Sequence, residues 1–291
     1  MTAPSVLLTG ATGLIGRQLV RALGSSKVFA LTRRTPDGGP NATNVTWIEH
    51  DLAAPALPRD LPPRVDAVVH LAQSEAFRDF PEKAADIFDV NVASTFRLLE
   101  WARTHGARRF VHASTGGVYG DGERPFVETD PPSESLGFYA SSKRAAELLA
   151  LAYAGSFVVV VVRPFFVYGA GQRTSMLIPR LVRSVAEGRP IVLHGAPDGP
   201  RFNPVHVSDA VAALRRCLDL DATQTINIAG PEVLTLREIG IAIGRALGRE
   251  PLFEVAASGP PHHLVGSTKK MTALLAAPSI RLVEGVRELR G

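Results

Sequence analysis

Cysteine occurs once in the 291 residues, at Cys217. A single thiol excludes an intramolecular disulfide framework and fits a reducing compartment, so a cytoplasmic setting is expected. Charge of one sign is barely in excess. Thirty-two Lys and Arg stand against 28 Asp and Glu, a formal net charge of +4, with no run of basic residues. So diffuse an excess gives no reason to expect a nucleic-acid partner, but it suits an anionic cofactor and an anionic substrate. Long hydrophobic runs are missing too. The longest, Phe157 to Val162, is far too short to cross a bilayer and stops at Arg163, so no membrane association is expected. Met1 to Ser5 is short and uncharged and does not read as a secretory signal. No His/Cys/Asp cluster has metal-ligand spacing, and there is no Gly-x-Ser-x-Gly elbow. His70 and His112 follow apolar runs and read as core or loop residues rather than ligands.

What is present is a soluble-enzyme composition, 45% hydrophobic and 21% charged, long enough for one large α/β domain with a smaller appendage. Strand-like and helix-like segments alternate. Strands are expected at Val6–Thr9, Val28–Leu31, Val45–Glu49, Ala67–Leu71, Arg109–Ala113 and Val158–Val162. Between them fall helices at Leu14–Leu23, Asp86–His105 and Tyr139–Tyr153. Repeated βα units predict a doubly wound, Rossmann-like parallel sheet, and the β-branched run at 158–162 suits a strand buried on both faces. Past Arg163-Pro164 the texture changes. Helices are expected at Met176–Glu187, Ser208–Leu220 and Leu236–Leu247, the last capped by Thr235, with strands at Ile191–Leu193 and Thr225–Ile228. The tail from Pro251 looks less regular. This predicts a dinucleotide-binding domain at 1–163, its sheet completed by segments from about 201–230, and a smaller, partly discontinuous α/β substrate-binding region at 164–291.

Four motifs carry chemistry. The turn Gly10-Ala11-Thr12-Gly13-Leu14-Ile15-Gly16 links the first strand to the first helix. Its glycines would permit the tight turn, the approach of backbone to a pyrophosphate, and close helix–strand packing. At the end of the second strand stand Thr32, Arg33 and Arg34, where NAD sites usually carry an acid. Two arginines suit the extra phosphate of NADP, so NADP is favoured here with NAD as the alternative. Asp51 and Leu52, ending the third strand, are candidates to cap the adenine. The segment Ser114-Thr115-Gly116-Gly117-Val118-Tyr119-Gly120 puts hydroxyls at the C-terminal end of a strand, where such sheets bind ligands. Finally, Tyr139 and Lys143 lie four apart and share a helix face. A nearby ammonium should lower the phenol's pKa and ready it for proton transfer near neutral pH. Asn91, mildly unfavourable inside a helix, is expected to bridge helix to sheet.

These motifs resemble the extended short-chain dehydrogenase/reductases, the group that includes nucleotide-sugar epimerases, dehydratases and ketoreductases. The resemblance covers nearly the whole chain. It takes in the 9–16 turn, His70-Leu71-Ala72, Asn91, 114–120, Tyr139/Lys143, 163–169, His206-Val207-Ser208-Asp209 and Ile226-Asn227-Ile228-Ala229-Gly230. It implies that Tyr139 is the catalytic acid/base and that Lys143 lowers its pKa and holds the nicotinamide ribose. Thr115, with Ser114 beside it, would be the substrate-binding hydroxyl. Leu71, Ala72, Asn91, Pro164 and Phe166 would line the cofactor, and Gly116, Phe166, Arg173 and Arg201 the substrate. It further implies a homodimer formed through the helices at 86–105 and 139–153. Some departures bear on the reaction. Gly116-Gly117 stands where dehydratases carry an Asp-Glu pair, which argues against elimination. Phe166 replaces the usual Asn of nucleotide-sugar enzymes, and Arg201 comes one residue early. The expectation is therefore an NAD(P)-dependent oxidoreductase or epimerase of a nucleotide-linked sugar. The rival readings are a dehydrogenase of a small hydroxy or keto compound and a non-catalytic dinucleotide sensor.

Overall fold

In the computed structural model, residues 3–36, 44–256 and 259–290 are described. Largely buried, mostly apolar strands build the centre. These are β1 (Val6–Thr9), β4 (Ala67–His70), β5 (Arg109–Ala113) and β6 (Val158–Pro164). They are flanked by β2 (Val28–Thr32) and β3 (Val45–Glu49) on one side and by β9 (Gln224–Ile228) on the other. The order is β3-β2-β1-β4-β5-β6-β9, so the connection reverses direction between β1 and β4. In-register parallel pairs run from β3 through to β6. Strands sandwiched between helix layers lose water on both faces, which is why their sequences are near-continuous Val, Leu and Ala. The expected α/β doubly wound sheet is thus the observed one.

The chain separates into two compact units. The first comprises 1–118, 134–163 and 214–226; the second comprises 119–133, 164–213 and 227–291. Segment 119–133 thus clusters with the second unit, although its sequence follows the fifth strand directly. The first unit's core is built on Leu7, Val68, Leu98, Phe110, Val159 and neighbours. Its helices include α1 (Leu14–Ala22), α2 (Ala84–Phe88), α3 (Ser94–Thr104) and α4 (Phe138–Ala152). The second unit packs α5 (Leu177–Ala186) and α7 (Leu236–Leu247) around Tyr168, Leu181, Ile191, Ile239 and Ile243. Thr235 does cap α7, in a full capping box with Glu238.

Two expectations need correction. The helix expected at 86–105 is interrupted, with a π turn at Asp89–Ala93 joining α2 to α3. The reason is local. Ser94 and Thr95 donate their hydroxyls to the carbonyls of Val90 and Asn91, and the buried Asn91 side chain points out to partners elsewhere. The tail is also more regular than its sequence suggests. Phe253–Ala256 pairs in parallel with Ile191–His194, and short helices form at Lys269–Leu274 and Leu282–Arg287. Two-residue strands at Arg201–Phe202 and Leu234–Thr235 are likewise too short for periodicity to register. Among the described residues, no helix is long and apolar enough to cross a membrane.

Candidate active site

The glycine turn has the geometry its spacing implies. Gly10 adopts φ +71°, and a Cβ there would press on the Ala72 amide nitrogen at 2.9 Å. A Cβ on Gly16 would lie 2.1 Å from the Gly10 carbonyl oxygen, so only glycine lets α1 pass this close to the turn. Gly13 occupies the N-cap of α1 and no side chain caps it. The first amides, from Leu14 to Gly16, therefore begin a helix with their N–H groups unclaimed by a cap, which is the arrangement that binds phosphate. Behind the turn, Thr9 Oγ1 accepts from the Ala72 amide at 3.2 Å and contacts His70 Nδ1 at 2.7 Å. This fixes Leu71 and Ala72 against the turn.

At the sheet's edge the arginines are not bare. Arg33 Nη2 lies 2.6 Å from Glu75 Oε1. Asp51 Oδ1 accepts from the Ala53 amide at 3.0 Å, and the Leu52 carbonyl accepts from Arg97 at 2.8 Å.

The catalytic candidates converge within the first unit. Lys143 is fully buried on α4, and Tyr139 is half-buried one turn earlier. Tyr139 donates its hydroxyl to Gln73 Oε1 at 2.7 Å, and Thr115 also hydrogen-bonds the phenol. Thr115 Oγ1 accepts from the Gly117 amide at 3.1 Å. No carboxylate occupies positions 116 and 117, which form a short 3-10 turn. Asn91 does bridge. It accepts from the Ser74 amide and donates to Ser142 Oγ, both at 2.9 Å, while Ser142 bonds the Tyr139 carbonyl at 2.7 Å. The loop after β4 and the catalytic helix are thus tied through one buried amide.

The electrostatics differ from expectation in one respect. Burial pushes the Tyr139 phenol up to about 12, against the downward pull of Thr115. Lys143 does not reverse this. Its own ammonium is desolvated and drawn down to about 8, partly countered by Glu147. Losing water disfavours both charged forms, and that outweighs mutual activation across one helical turn. Glu147 is buried but ionised. It takes a bidentate contact from Arg163, both bonds at 2.8 Å, and another from Arg144 at 2.7 Å. His70 and His112 are core residues of β4 and β5, kept neutral by burial and by Lys143.

The remaining expected site residues lie in the second unit. Pro164 ends β6. Phe166 holds φ +46°, a strained value for a bulky residue, with its ring 4.6 Å from that of Phe202. Both line a concavity of about 580 Å³ with His194, His262 and Leu264. Arg201 donates to the Glu123 carbonyl at 2.8 Å and to its carboxylate at 2.9 Å.

Residues 6–229 match the model of the NAD dependent epimerase/dehydratase family. The chain belongs to that family. The chain is 30% identical over 305 residues to a dTDP-glucose 4,6-dehydratase of Streptomyces niveus, covering 97% of this chain and 90% of that protein. It is 30% identical to a dTDP-4-dehydro-6-deoxy-D-allose reductase of Streptomyces sp, covering 88% and 85%. Among solved structures, MoeE5 in complex with UDP-glucuronic acid and NAD superposes with a TM-score of 0.81 at 29% identity, covering 98% of this chain and 97% of the other. The dinucleotide in that neighbour is NAD, so the expected preference for NADP finds no support there. Two contacts were invisible in the sequence, Gln73 on Tyr139 and Glu75 on Arg33. Each joins residues 42 or more positions apart, and no local pattern signals them.

Proposed function

We propose that this protein moves a hydride between bound NAD and a carbon of a nucleotide-linked sugar, and that it returns the hydride to the same substrate as an epimerase. The observation that carries the reading is Tyr139, with its phenol oxygen bonded to Thr115 and Lys143 buried one turn away on the same helix. The glycine turn fits a dinucleotide, since a side chain at Gly10 or Gly16 would fill the space the turn keeps open. NAD would be held by the amides of 12–16, by Lys143 and by the 71–72 loop, and it would supply the hydride acceptor and donor. As the phenolate, its own proton first lost to solvent, Tyr139 Oη would take the proton of the sugar hydroxyl as the carbon is oxidised and give it back on reduction. Thr115 Oγ1 holds the same oxygen. Lys143, with a pKa of about 8, is poised to change charge state near neutral pH and to favour the phenolate when protonated.

Gly116-Gly117 supports epimerisation over dehydration, because elimination needs an acid and a base that those positions do not carry. A substrate with a nucleotide handle is supported by the UDP-sugar held in MoeE5. Phe166 and the engagement of Arg201 by Glu123 favour a second reading, a substrate with no diphosphate. Two copies are proposed to pair through the exposed Phe88, Phe96 and Leu148 on α2, α3 and α4.

The test is to denature the purified protein and identify the released dinucleotide, then to supply UDP- and dTDP-hexoses and follow the sugar by NMR. Retained NAD with an epimerised product is expected. An empty site with net consumption of NADPH would replace the epimerase with a reductase. Failure of free UDP and dTDP to inhibit would favour the second reading.

A further inference from the structure

The end of β2 carries two cations and no acid. Thr32, in the position where a ribose-binding carboxylate would stand, turns its hydroxyl to the Arg34 carbonyl at 2.9 Å. The acid arrives from another part of the chain. Glu75, in the loop after β4, meets Arg33 Nη2 at 2.6 Å. Glu49 stands at the end of β3 and accepts from the Thr35 amide at 2.8 Å. That bond and the nearby Arg34 hold its carboxyl below the usual range. Each arginine therefore has an acid beside it.

Glu75 is not placed by chance. The preceding residue, Ser74, is pinned by its amide to the buried Asn91 at 2.9 Å and by its hydroxyl to Asp86. The adenosine ribose of NAD offers hydroxyl donors, which a carboxylate accepts. The same position in NADP carries a dianionic phosphate, which a carboxylate repels. A cation held in an ion pair is also a poorer phosphate ligand than a bare one, because the competing carboxylate must first be displaced.

We propose that Glu75 selects NAD over NADP in this chain, delivering from the β4 loop the carboxylate that β2 lacks, with Arg33 as its orienting counter-ion. The inference rests on the dinucleotide reading of the Gly10–Gly16 turn.

The experiment is titration of NADH and NADPH, by nicotinamide fluorescence, into the wild type, Glu75→Gln and the double variant Glu75→Gln/Arg33→Ala, each first stripped of any retained dinucleotide. The wild type should prefer NADH. Glu75→Gln should move the NADPH-to-NADH affinity ratio toward NADPH by roughly three- to tenfold. Adding Arg33→Ala should reduce that gain without abolishing it, because only the part that comes from the freed guanidinium is lost while the carboxylate remains absent. A Glu75→Gln protein that binds NADH with an unchanged ratio overturns the proposal and leaves the dinucleotide site standing. So does a wild type that already prefers NADPH. A wild type that binds neither nucleotide overturns both readings.

Discussion

Lys143 is 1% exposed, and burial draws its pKa down to about 8. In the unfolded chain a lysine titrates near ~10.4. Between those values the unfolded protein carries a proton that the folded one has released, so stability must rise as pH rises through this window. The displacement corresponds to a penalty of about 3 kcal/mol at neutral pH, of which about 2 kcal/mol should be relieved by pH 10. The Glu147 carboxylate opposes this, and its pull is already part of the value of about 8. Replacing Lys143 with Met keeps most of the volume and removes the charge. Urea unfolding of both proteins at half-unit steps from pH 7 to 10 tests the reasoning. The wild type should gain stability relative to Lys143→Met across that range, the difference shrinking by about 2 kcal/mol. A difference that stays flat with pH would mean the ammonium is not desolvated as described. One that widens would mean the folded site raises the lysine's pKa.

Other substitutions probe separate parts of the account. Gly16→Ala should abolish NADH binding by fluorescence, since its Cβ would stand 2.1 Å from the Gly10 oxygen; unaltered binding would show that the turn can relax. Gln73→Leu removes the acceptor 2.7 Å from the Tyr139 hydroxyl and should cut kcat/KM about two- to tenfold without changing NADH affinity. An equal loss of NADH affinity would make the effect structural. Phe96→Glu, at a side chain 48% exposed on α3, should shift sedimentation from dimer to monomer, whereas an unshifted dimer would place the interface elsewhere.

How far the sequence reached depended on the range of the physics involved. Strands of Val and Leu at 6–9, 67–70, 109–113 and 158–162 were legible because burial on both faces demands an uninterrupted apolar run. The glycine turn was legible because Gly16 answers a steric demand set by Gly10 within seven residues and the positive φ of Gly10 is itself local, although the Ala72 backbone that also crowds Gly10 is distant in sequence. The helix pairing Tyr139 with Lys143 was equally local. What escaped depends on tertiary contact. The direction of the Tyr139 shift follows from how much water the folded site removes, which spacing on a helix does not reveal. The tie of Asn91 to Ser74 and Ser142, 17 and 51 residues away, likewise left no local signal. The arginine pair suggested NADP because Glu75, which lies beside Arg33, is far from it in sequence. Short tail elements such as Lys269–Leu274 give too few turns for a periodic signal.

The central claim is that Tyr139 carries the proton in a hydride transfer on a nucleotide-linked sugar. The direct measurement is turnover of UDP- and dTDP-sugars by the wild type and Tyr139→Phe, with NADH affinity measured on both. The account predicts equal NADH affinity and a loss of turnover of at least about a hundredfold in the variant. A Tyr139→Phe protein that turns over near the wild-type rate would contradict it.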